Sequence, residues 1–306
     1  MLKYRAISFP ILIALLALLV FWPEVGKYLF PFVAGAMAGM MFYEAGSMLE
    51  KIGIRSFVKS TAILGGFVLA FLLLASAFQP DSLQDSLDAY LKGEKGMENV
   101  RILCQILMLC GFLALIYGGW LLLLFRKEKK EILERMFVSA GILLLCGIPM
   151  VALALVYFTK ELGPVALFFV MMVTKSMDTG GYIFGMLSNR WMAGGNHKIV
   201  PSISPKKSWE GTIGGVILSI GVSLLFYWLS CSQNVGVEAS VGWYVIAAVV
   251  LALGSFAGDL TESALKRTCG IKDSGHWIPG MGGAFDVLDS FIYNGILFWL
   301  LTFFLG

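Results

Sequence analysis

The sequence predicts an all-α polytopic integral membrane protein, and three observations lead to this fold class. First, 58% of the 306 residues are hydrophobic and only 14% are charged, whereas a soluble domain carries about 25% charged residues. Second, the apolar residues form runs of roughly twenty, the length of helix that crosses a hydrocarbon layer about 30 Å thick. Third, the lysines and arginines fall mainly in alternate loops between these runs. The composition excludes ordinary soluble, disordered and collagen-like proteins.

The cysteines and the net charge indicate no other class. The five cysteines are scattered and include no CxxC pair, so they predict neither a metal cage nor a disulfide framework. The net charge of +3 is too small to indicate a nucleic-acid partner. We therefore expect the lipid bilayer to be the main surroundings of the chain.

About nine runs are long enough to be transmembrane helices. The first follows Lys3 and Arg5 and ends in Phe-Trp-Pro-Glu, which lacks the small residues of a signal-peptide cleavage site, so we expect it to be retained. Residues 1–160 are predicted to form an N-terminal scaffold of about five spans, and residues 161–306 a C-terminal catalytic region of about four. The expected spans are 7–22, 28–46, 57–78, 101–125, 136–158, 164–187, 211–231, 240–260 and 283–305.

The distribution of lysine and arginine predicts the orientation of these spans. With the N-terminus in the cytoplasm, alternation places 17 of the 23 basic residues on the cytoplasmic side and five on the opposite side. Short cytoplasmic loops are enriched in these residues. We therefore expect a cytoplasmic N-terminus and a C-terminus on the opposite side. Because no organelle presequence precedes the first span, the expected location is a cell inner membrane.

Ionisable residues at membrane depth concentrate in the second half of the chain. Such residues are costly in lipid and mark candidate sites. Lys175 and Asp178 lie three residues apart, on one face of the sixth span. The adjacent Gly180 and Gly181 permit the close approach of another backbone. A mutually neutralising structural pair is the alternative interpretation of the lysine and the aspartate.

Acidic residues also gather where the eighth span ends and the ninth begins. Asp286 and Asp289 share one face of the ninth span, and both helix ends are expected at the cytoplasmic surface. Carboxylates from the two helices can converge there and bind Mg²⁺, which takes oxygen ligands; helix-end acids exposed to water are the alternative. The end of the eighth span carries acids and then bases at spacings of three and four: Asp259, Glu262, Ser263, Lys266 and Arg267.

The loop between the sixth and seventh spans supplies positive charge. Lys206 and Lys207 stand between Ser204 and Ser208, just before a predicted helix. Lysine side chains and the backbone N–H groups of a helix N-terminus can together bind polyphosphate. A positive cytoplasmic loop explains the lysines equally well, and the spacing is not that of a Walker A loop. Beside the acids, however, the loop indicates phosphoryl or nucleotidyl transfer at a membrane surface.

The residues from Ser263 to Asp289 resemble the C-terminal signature of the phosphatidate cytidylyltransferases, or CDP-diacylglycerol synthases. That signature runs Ser-x-apolar-Lys-Arg, then Lys-Asp after four residues, and ends in Pro-x-His-Gly-Gly-apolar-x-Asp-Arg-apolar-Asp. The segments beginning at Asp178 (Asp-Thr-Gly-Gly-Tyr) and Ser204 (Ser-Pro-Lys-Lys-Ser-Trp-Glu-Gly) are similar to two further segments of that family. The match covers about residues 175–290.

This chain departs from the family pattern at a few positions. Met281 replaces the histidine, Ala284 a larger apolar residue and Val287 the arginine, while Ser208 in place of threonine keeps the hydroxyl group. Two potential phosphate contacts are lost in this way. Because every acid and the paired lysines are present, we expect an active enzyme.

The resemblance implies that the protein condenses CTP with phosphatidic acid, giving CDP-diacylglycerol and pyrophosphate for phospholipid biosynthesis. It also implies a homodimer in the membrane and the use of Mg²⁺, with a second cation such as K⁺ nearby in some members. Carried over by position, Asp259 and Asp286 are the expected metal ligands, with Asp289 and Lys207 as further catalytic residues. The expected substrate-binding residues are Asp178, Ser204, Lys206, Lys207, Ser208, Lys266, Arg267, Lys272 and Asp273.

Two other functions are compatible with parts of the pattern. A CTP-dependent polyprenol kinase also needs membrane spans, Mg²⁺ and a cytoplasmic CTP loop, but it releases CDP rather than pyrophosphate. A cation-coupled transporter would use Lys175, Asp178 and Asp259 as an ion pathway. That function predicts acids at mid-membrane in broken helices, whereas these acids are expected at cytoplasmic helix ends.

Overall fold

Helices make up most of the part of the chain that the structure describes. A computed structural model describes residue 10 and residues 14–77, 129–158, 163–192, 194–233, 239–280 and 282–302. Within these ranges there is no β-strand, and the only extended pairings are isolated bridges between Lys198 and Ser208 and between Ile278 and Gly282. The predicted all-α class is confirmed for these residues.

Nine α-helices lie within the described residues. A helical run over residues 14–21 precedes the first long helix, and a π-helical turn at Leu143–Gly147 joins α3 to α4. The helices are α1 (Pro23–Lys51), α2 (Val58–Ala77), α3 (Lys129–Ile142), α4 (Ile148–Phe158), α5 (Gly163–Trp191), α6 (Trp209–Gln233), α7 (Val241–Thr268), α8 (Ala284–Leu288) and α9 (Phe291–Thr302).

Five helical stretches among the described residues are long and apolar enough to cross a membrane. The predicted span at 101–125 lies outside the described residues, so the number of nine and the orientation of the termini stay predictions. Helix α5 is 29 residues long but carries Lys175 and Asp178 in its middle, which lowers its hydropathy. The five stretches are Glu24–Lys51, Glu134–Phe158, Trp209–Ser232, Val241–Thr268 and Ala284–Thr302.

The chain divides into two compact units, Glu24–Gly147 and a second unit made of Met1–Pro23 and Ile148–Gly306. In the unit Glu24–Gly147, α1 and α2 cross at small residues: a Cβ atom added to Gly66 would lie 3.1 Å from the Cα of Gly39. Small residues let helices approach closely in a membrane. All predicted site residues belong to the other unit. The predicted boundary at residue 160 stays a prediction.

Helices α5 and α6 of the second unit meet at glycines. A Cβ atom added to Gly180 would lie 2.8 Å from the Cα of Gly215, and one added to Gly211 would lie 2.7 Å from the carbonyl oxygen of Gly181. Both distances are shorter than side chains tolerate. The predicted close approach of a second backbone at Gly180 and Gly181 is therefore confirmed, and it sets the start of α6 against the middle of α5.

An aromatic core holds four helices of this unit together. Phe169 of α5 is 1% exposed, and its ring centroid lies 5.3 Å from Phe226 of α6, 5.6 Å from Tyr244 of α7 and 5.8 Å from Phe298 of α9. Aromatic pairs at such separations add to the stability that burial provides. This cluster fixes the helices whose far ends carry the charged residues.

Candidate active site

The predicted ninth span is interrupted at its start. Helix α8 ends at Leu288 and α9 begins at Phe291, so Asp289 and Ser290 form a break between them. The break packs on α7 at Gly258, where an added Cβ atom would lie 3.0 Å from the Cα of Ser290. Because Gly258 has no side chain, the backbone of the break lies directly against α7, one residue before Asp259.

Three carboxylates converge at this break. Asp259, Glu262 and Asp289, hereafter the acid cluster, each offer an oxygen atom, and the three oxygens lie within 4.8 Å of one another. Glu262 is 2% exposed and Asp289 is 7% exposed. Asp259 and Glu262 share one face of α7 because they are three residues apart. Three hard oxygen donors on rigid backbone segments form a set that suits Mg²⁺.

Asp286, an expected metal ligand, has other partners in the structure. Its Oδ1 accepts a hydrogen bond from Lys266 Nζ at 2.8 Å, and its Oδ2 accepts from the backbone N–H groups of Gly283 at 2.8 Å and Ser274 at 3.1 Å. These contacts attach the loop after α7 to the start of α8. Metal binding by Asp286 stays a prediction.

Glu262 was not among the expected metal ligands, although the sequence contains a signal for it. It follows Asp259 by three residues, and Asp286 precedes Asp289 by the same interval. Spacing alone cannot tell which acid of each pair faces the other helix. In the structure Asp289 joins Asp259 and Glu262 in one cluster, while Asp286 and Glu262 share the ammonium group of Lys266.

Lys266 stands between the acids. Its Nζ lies 2.8 Å from Glu262 Oε1 and 2.8 Å from Asp286 Oδ1, and its side chain is 14% exposed. Burial of this charge is compensated by two carboxylates, as buried charges require. The predicted phosphate contact of Lys266 would therefore need an exchange of these partners.

Lys207 connects the loop between α5 and α6, which carries Lys198, Lys206 and Lys207 and is hereafter the cationic loop, to the acid cluster. Its Nζ lies 2.9 Å from Asp259 Oδ2, donates to the carbonyl oxygen of Phe256 at 3.1 Å and lies 4.3 Å from the centroid of the Phe256 ring. Like Lys266, its side chain is 14% exposed. The loop before α6 and the end of α7, which are far apart in sequence, thus meet as their charges suggested.

The loop before α6 folds back on itself and is tied to α5. The backbone N–H of Trp209 donates to the carbonyl oxygen of His197 at 3.0 Å, and Asn196 Nδ2 donates to the carbonyl oxygen of Gly185 at 2.7 Å and to Ser208 Oγ at 3.1 Å. Ser208 is 2% exposed, and its Oγ also accepts from the N–H of Gly211 at 3.2 Å. This hydroxyl caps α6, a structural use that the sequence analysis did not expect.

Asp178 lies at the meeting point of α5, α7 and the break. Its Oδ1 accepts a hydrogen bond from Ser255 Oγ at 3.1 Å, and its Oδ2 accepts from Ser290 Oγ at 3.4 Å and from Lys175 Nζ at 3.1 Å. Ser255 and Ser290 are 0% and 1% exposed. Neither serine was singled out from sequence, because a serine in an apolar run has no distinctive spacing.

A cavity of about 540 Å³ opens beside these groups. This volume lies within the range of small-molecule sites. Glycines of the α5–α6 crossing and the side chains of Met177, Tyr182, Met186 and Phe256 border it. The polar residues that line it are Asp178, Asn189, Lys198, Ser204, Lys206, Lys207, Ser208, Thr212 and Asp259.

The remaining predicted residues, at the end of α7 and on the loop that follows it, are not among those that line the cavity. Arg267 Nε donates to the carbonyl oxygen of Ile203 at 3.4 Å, which ties the end of α7 to the loop before α6. Lys272 and Asp273 are exposed on the loop after α7. Their roles in substrate binding stay predictions.

Comparison with known sequences identifies the family. The sequence profile described as the cytidylyltransferase family matches residues 3–305. The chain belongs to this family. The resemblance noted in the sequence is thereby confirmed, and it extends beyond residues 175–290 to the N-terminal half of the chain.

Individual members of the cytidylyltransferase family are similar over much of the chain. A phosphatidate cytidylyltransferase of Haemophilus influenzae is 32% identical over 308 aligned residues, which cover 95% of this chain and 94% of the relative. Another from Staphylococcus epidermidis is 31% identical over 191 residues, or 62% of this chain and 67% of the relative. A third, from Mycobacterium bovis, is 34% identical over 166 residues, covering 53% and 50%.

Proposed function

We propose that this protein is a phosphatidate cytidylyltransferase, which condenses CTP with phosphatidic acid to give CDP-diacylglycerol and pyrophosphate. The observation that carries the proposal is the contact between the cationic loop and the acid cluster, with Lys207 Nζ 2.9 Å from Asp259 Oδ2 at the edge of the cavity. The relatives named above support the choice of substrates. No observation favours a polyprenol kinase or a transporter.

The cavity is the proposed site for the triphosphate of CTP. Lys198, Lys206 and Lys207 line it and present ammonium groups, and Ser204 adds a hydroxyl group. Lys207 would exchange its contact with Asp259 for a phosphate oxygen. Gly181, Gly185 and Gly211 also line the cavity, where α5 and α6 meet. The three lysines suit an anionic ligand.

We propose that Mg²⁺ binds at the acid cluster. The donor set fits this ion, because Asp259, Glu262 and Asp289 supply carboxylate oxygens from α7 and from the break. Bound there, Mg²⁺ would neutralise charge on the phosphoryl oxygens. The fit of Asp286 is poorer, since Lys266, Gly283 and Ser274 already contact its two oxygens. A nearby K⁺ remains a proposal from the resemblance alone.

The reaction needs no nucleophile from the protein. An oxygen of the lipid phosphate attacks the α-phosphorus of CTP, the bond from this phosphorus to the bridging oxygen breaks, and pyrophosphate leaves with that oxygen. A phosphate monoester is largely dianionic at neutral pH, since its second pKa is about 6, so no strong general base is required. The tasks of this chain are to align the two phosphates and to stabilise charge on the leaving group with Lys206 and Lys207.

The proposed location is a bacterial inner membrane, with the cavity facing the cytoplasm. The positive cytoplasmic loops of the sequence support this orientation, and the relatives are bacterial. A cytoplasmic opening gives CTP direct access, while the apolar stretches of α7 and α9 keep the site near the lipid headgroups. A homodimer is proposed on the resemblance to the family.

The proposal is tested with the purified full chain in mixed micelles. The protein receives Mg²⁺ and CTP radiolabelled at its α-phosphate, with phosphatidic acid in one sample and a polyprenol in another. The expected products are labelled CDP-lipid and pyrophosphate in the first sample alone. Phosphorylated polyprenol with free CDP would instead identify a kinase. Asp289→Asn is the matched inactive control, and the absence of CDP-lipid with the unaltered chain would refute the proposal.

A further inference from the structure

Lys175 is a charged residue of α5 that the proposed mechanism has not used. Its Nζ lies 3.1 Å from Asp178 Oδ2 and 3.4 Å from the backbone carbonyl oxygen of Val287, and it lies 5.5 Å from the centroid of the Phe291 ring. The side chain is 44% exposed. A lysine in the middle of a mostly apolar helix is costly, so its retention calls for a reason.

The contact between Lys175 and residue 287 provides a reason for a lysine at this position. The family signature carries arginine at this position, between the two aspartates, whereas this chain has Val287. Lys175 comes from a different helix, 112 residues earlier, and its ammonium group reaches the backbone of that same residue. Lys175 therefore places a positive charge beside position 287, from α5 instead of from α8.

The charges around the acid cluster also point to Lys175. Lys207 contacts Asp259, and Lys266 contacts Glu262. The third member, Asp289, accepts hydrogen bonds from Ser290. Its carboxylate lies within the electrostatic reach of Lys175 and of the negative Asp178 and Asp259. Lys175 thus brings positive charge to the acid that the other two lysines do not contact.

The ammonium group retains bonding capacity in this position. It has three N–H donors, and the contacts with Asp178 and Val287 occupy two of them. Nearly half of the side chain is exposed, and Asp178, its partner, lines the cavity. A phosphate oxygen at the cavity edge is a stronger acceptor for this group than a neutral carbonyl oxygen, because the resulting hydrogen bond joins opposite charges.

We infer that Lys175 is a catalytic residue that binds a phosphate oxygen of the substrates and takes the place of the arginine of the family signature. The inference rests on the proposed function. Both substrates carry phosphate, so the lysine can serve either CTP or the lipid. The test must therefore distinguish binding of CTP from binding of the lipid. It must also distinguish a lysine whose charge binds phosphate from one that only holds α5 and α8 together.

The first variant is Lys175→Gln, which keeps a hydrogen-bond donor toward Asp178 and Val287 but removes the charge. Its kcat/KM is expected to fall about 10- to 100-fold, the usual effect of losing a hydrogen bond to a charged group. A rise in KM for CTP at saturating lipid would assign the contact to the nucleotide. A rise in KM for phosphatidic acid at saturating CTP would assign it to the lipid.

The decisive variant moves the charge to the other helix. Val287→Arg in the Lys175→Gln background restores a cation at position 287 without restoring the contact from α5. It is expected to raise kcat/KM at least tenfold over the single variant. A lysine that merely ties two helices could not be replaced in this way.

The chain offers a matched control for the loss of an ion pair. Lys27 pairs with Glu24 at the same spacing of three residues and the same distance of 3.1 Å, with a side chain that is 39% exposed. It belongs to the other unit. Lys27→Gln is expected to leave kcat/KM within about twofold of the unaltered enzyme, as for exposed pairs of low energy.

The outcomes separate this inference from the proposed function. If the unaltered chain makes no CDP-lipid, the proposed function is wrong and the lysine has no phosphate to bind. If the chain is active and Lys175→Gln stays within threefold of it, the inference is overturned. It is equally overturned if activity falls and Val287→Arg does not restore it. Should Lys175→Gln fail to fold, the double variant decides alone: folded protein with less than a hundredth of normal kcat/KM contradicts the inference.

Discussion

Replacing Gly258 by alanine adds only one methyl group but should strongly lower kcat. The added Cβ atom would lie 3.0 Å from the Cα of Ser290 and 3.1 Å from the carbonyl carbon of Asp289. The carbonyl oxygen of Asp289 would lie closer still, and ordinary contacts of a Cβ atom are 3.4–4 Å. The break between α8 and α9 must therefore retreat by about 1 Å or more, a displacement of the size that matters at a reacting centre. A misplacement of about 1 Å at a reacting centre costs roughly 100-fold in rate. We expect kcat to fall about 10- to 100-fold.

The assay is the formation of CDP-lipid from labelled CTP, normalised to folded protein and accompanied by thermal unfolding in micelles. Overpacking of this kind also costs about 1–3 kcal/mol of stability. Gly221→Ala on α6 is the control, because an added Cβ atom there meets nothing within 4 Å; it should leave kcat unchanged. If Gly258→Ala keeps more than half of the normal kcat, the acid cluster does not depend on the packing of the break against α7, and the reasoning fails.

Three further results are expected. Glu262→Gln should raise the Mg²⁺ concentration for half-maximal activity about 10- to 100-fold, as loss of a ligand or its support does, and an unchanged Mg²⁺ titration would remove Glu262 from the metal site. Asp286→Asn should mainly lower the free energy of unfolding, by about 3–5 kcal/mol, because Lys266 loses part of its buried charge compensation. Denaturant unfolding measures this loss, and normal stability together with a large change in the Mg²⁺ requirement would contradict the prediction. Phe169→Ala should cost about 3–5 kcal/mol of stability and leave KM for CTP unchanged, which unfolding and kinetics together measure.

The sequence predicted the membrane class and the family, because the first depends on composition over the whole chain and the second on a spaced motif. Gly180 and Gly181 were correctly expected to admit a second helix, since only small residues allow such an approach. The pairing of the loop before α6 with the end of α7 followed from opposite charges, and the Lys207–Asp259 contact agrees with it. These features depend on residue type more than on exact geometry.

The arrangement of individual acids could not be predicted in the same way. The spacing of Asp286 and Asp289 predicts one shared face, yet Asp289 joins Asp259 and Glu262, whereas Asp286 binds Lys266 and the loop after α7. The segment at Asp289 and Ser290 also packs on Gly258 of a distant helix, a contact that spacing does not reveal. Likewise, Ser208 looked like a substrate hydroxyl from its motif, whereas its cap of α6 depends on where the helix begins.

The charges around the proposed site give a reason for the proposed role of Lys175. Five carboxylates lie around the cavity and the break, from Asp178, Asp259, Glu262, Asp286 and Asp289, and three ammonium groups contact them, from Lys175, Lys207 and Lys266. Lys198 and Lys206 on the cavity wall add two further positive charges, which we propose bind the triphosphate. Without Lys175, one more negative charge would be uncompensated beside Asp178, and this charge would oppose the binding of anionic substrates there. Because position 287 provides no cation in this chain, we expect the loss of Lys175 to weaken substrate binding at that point of the site.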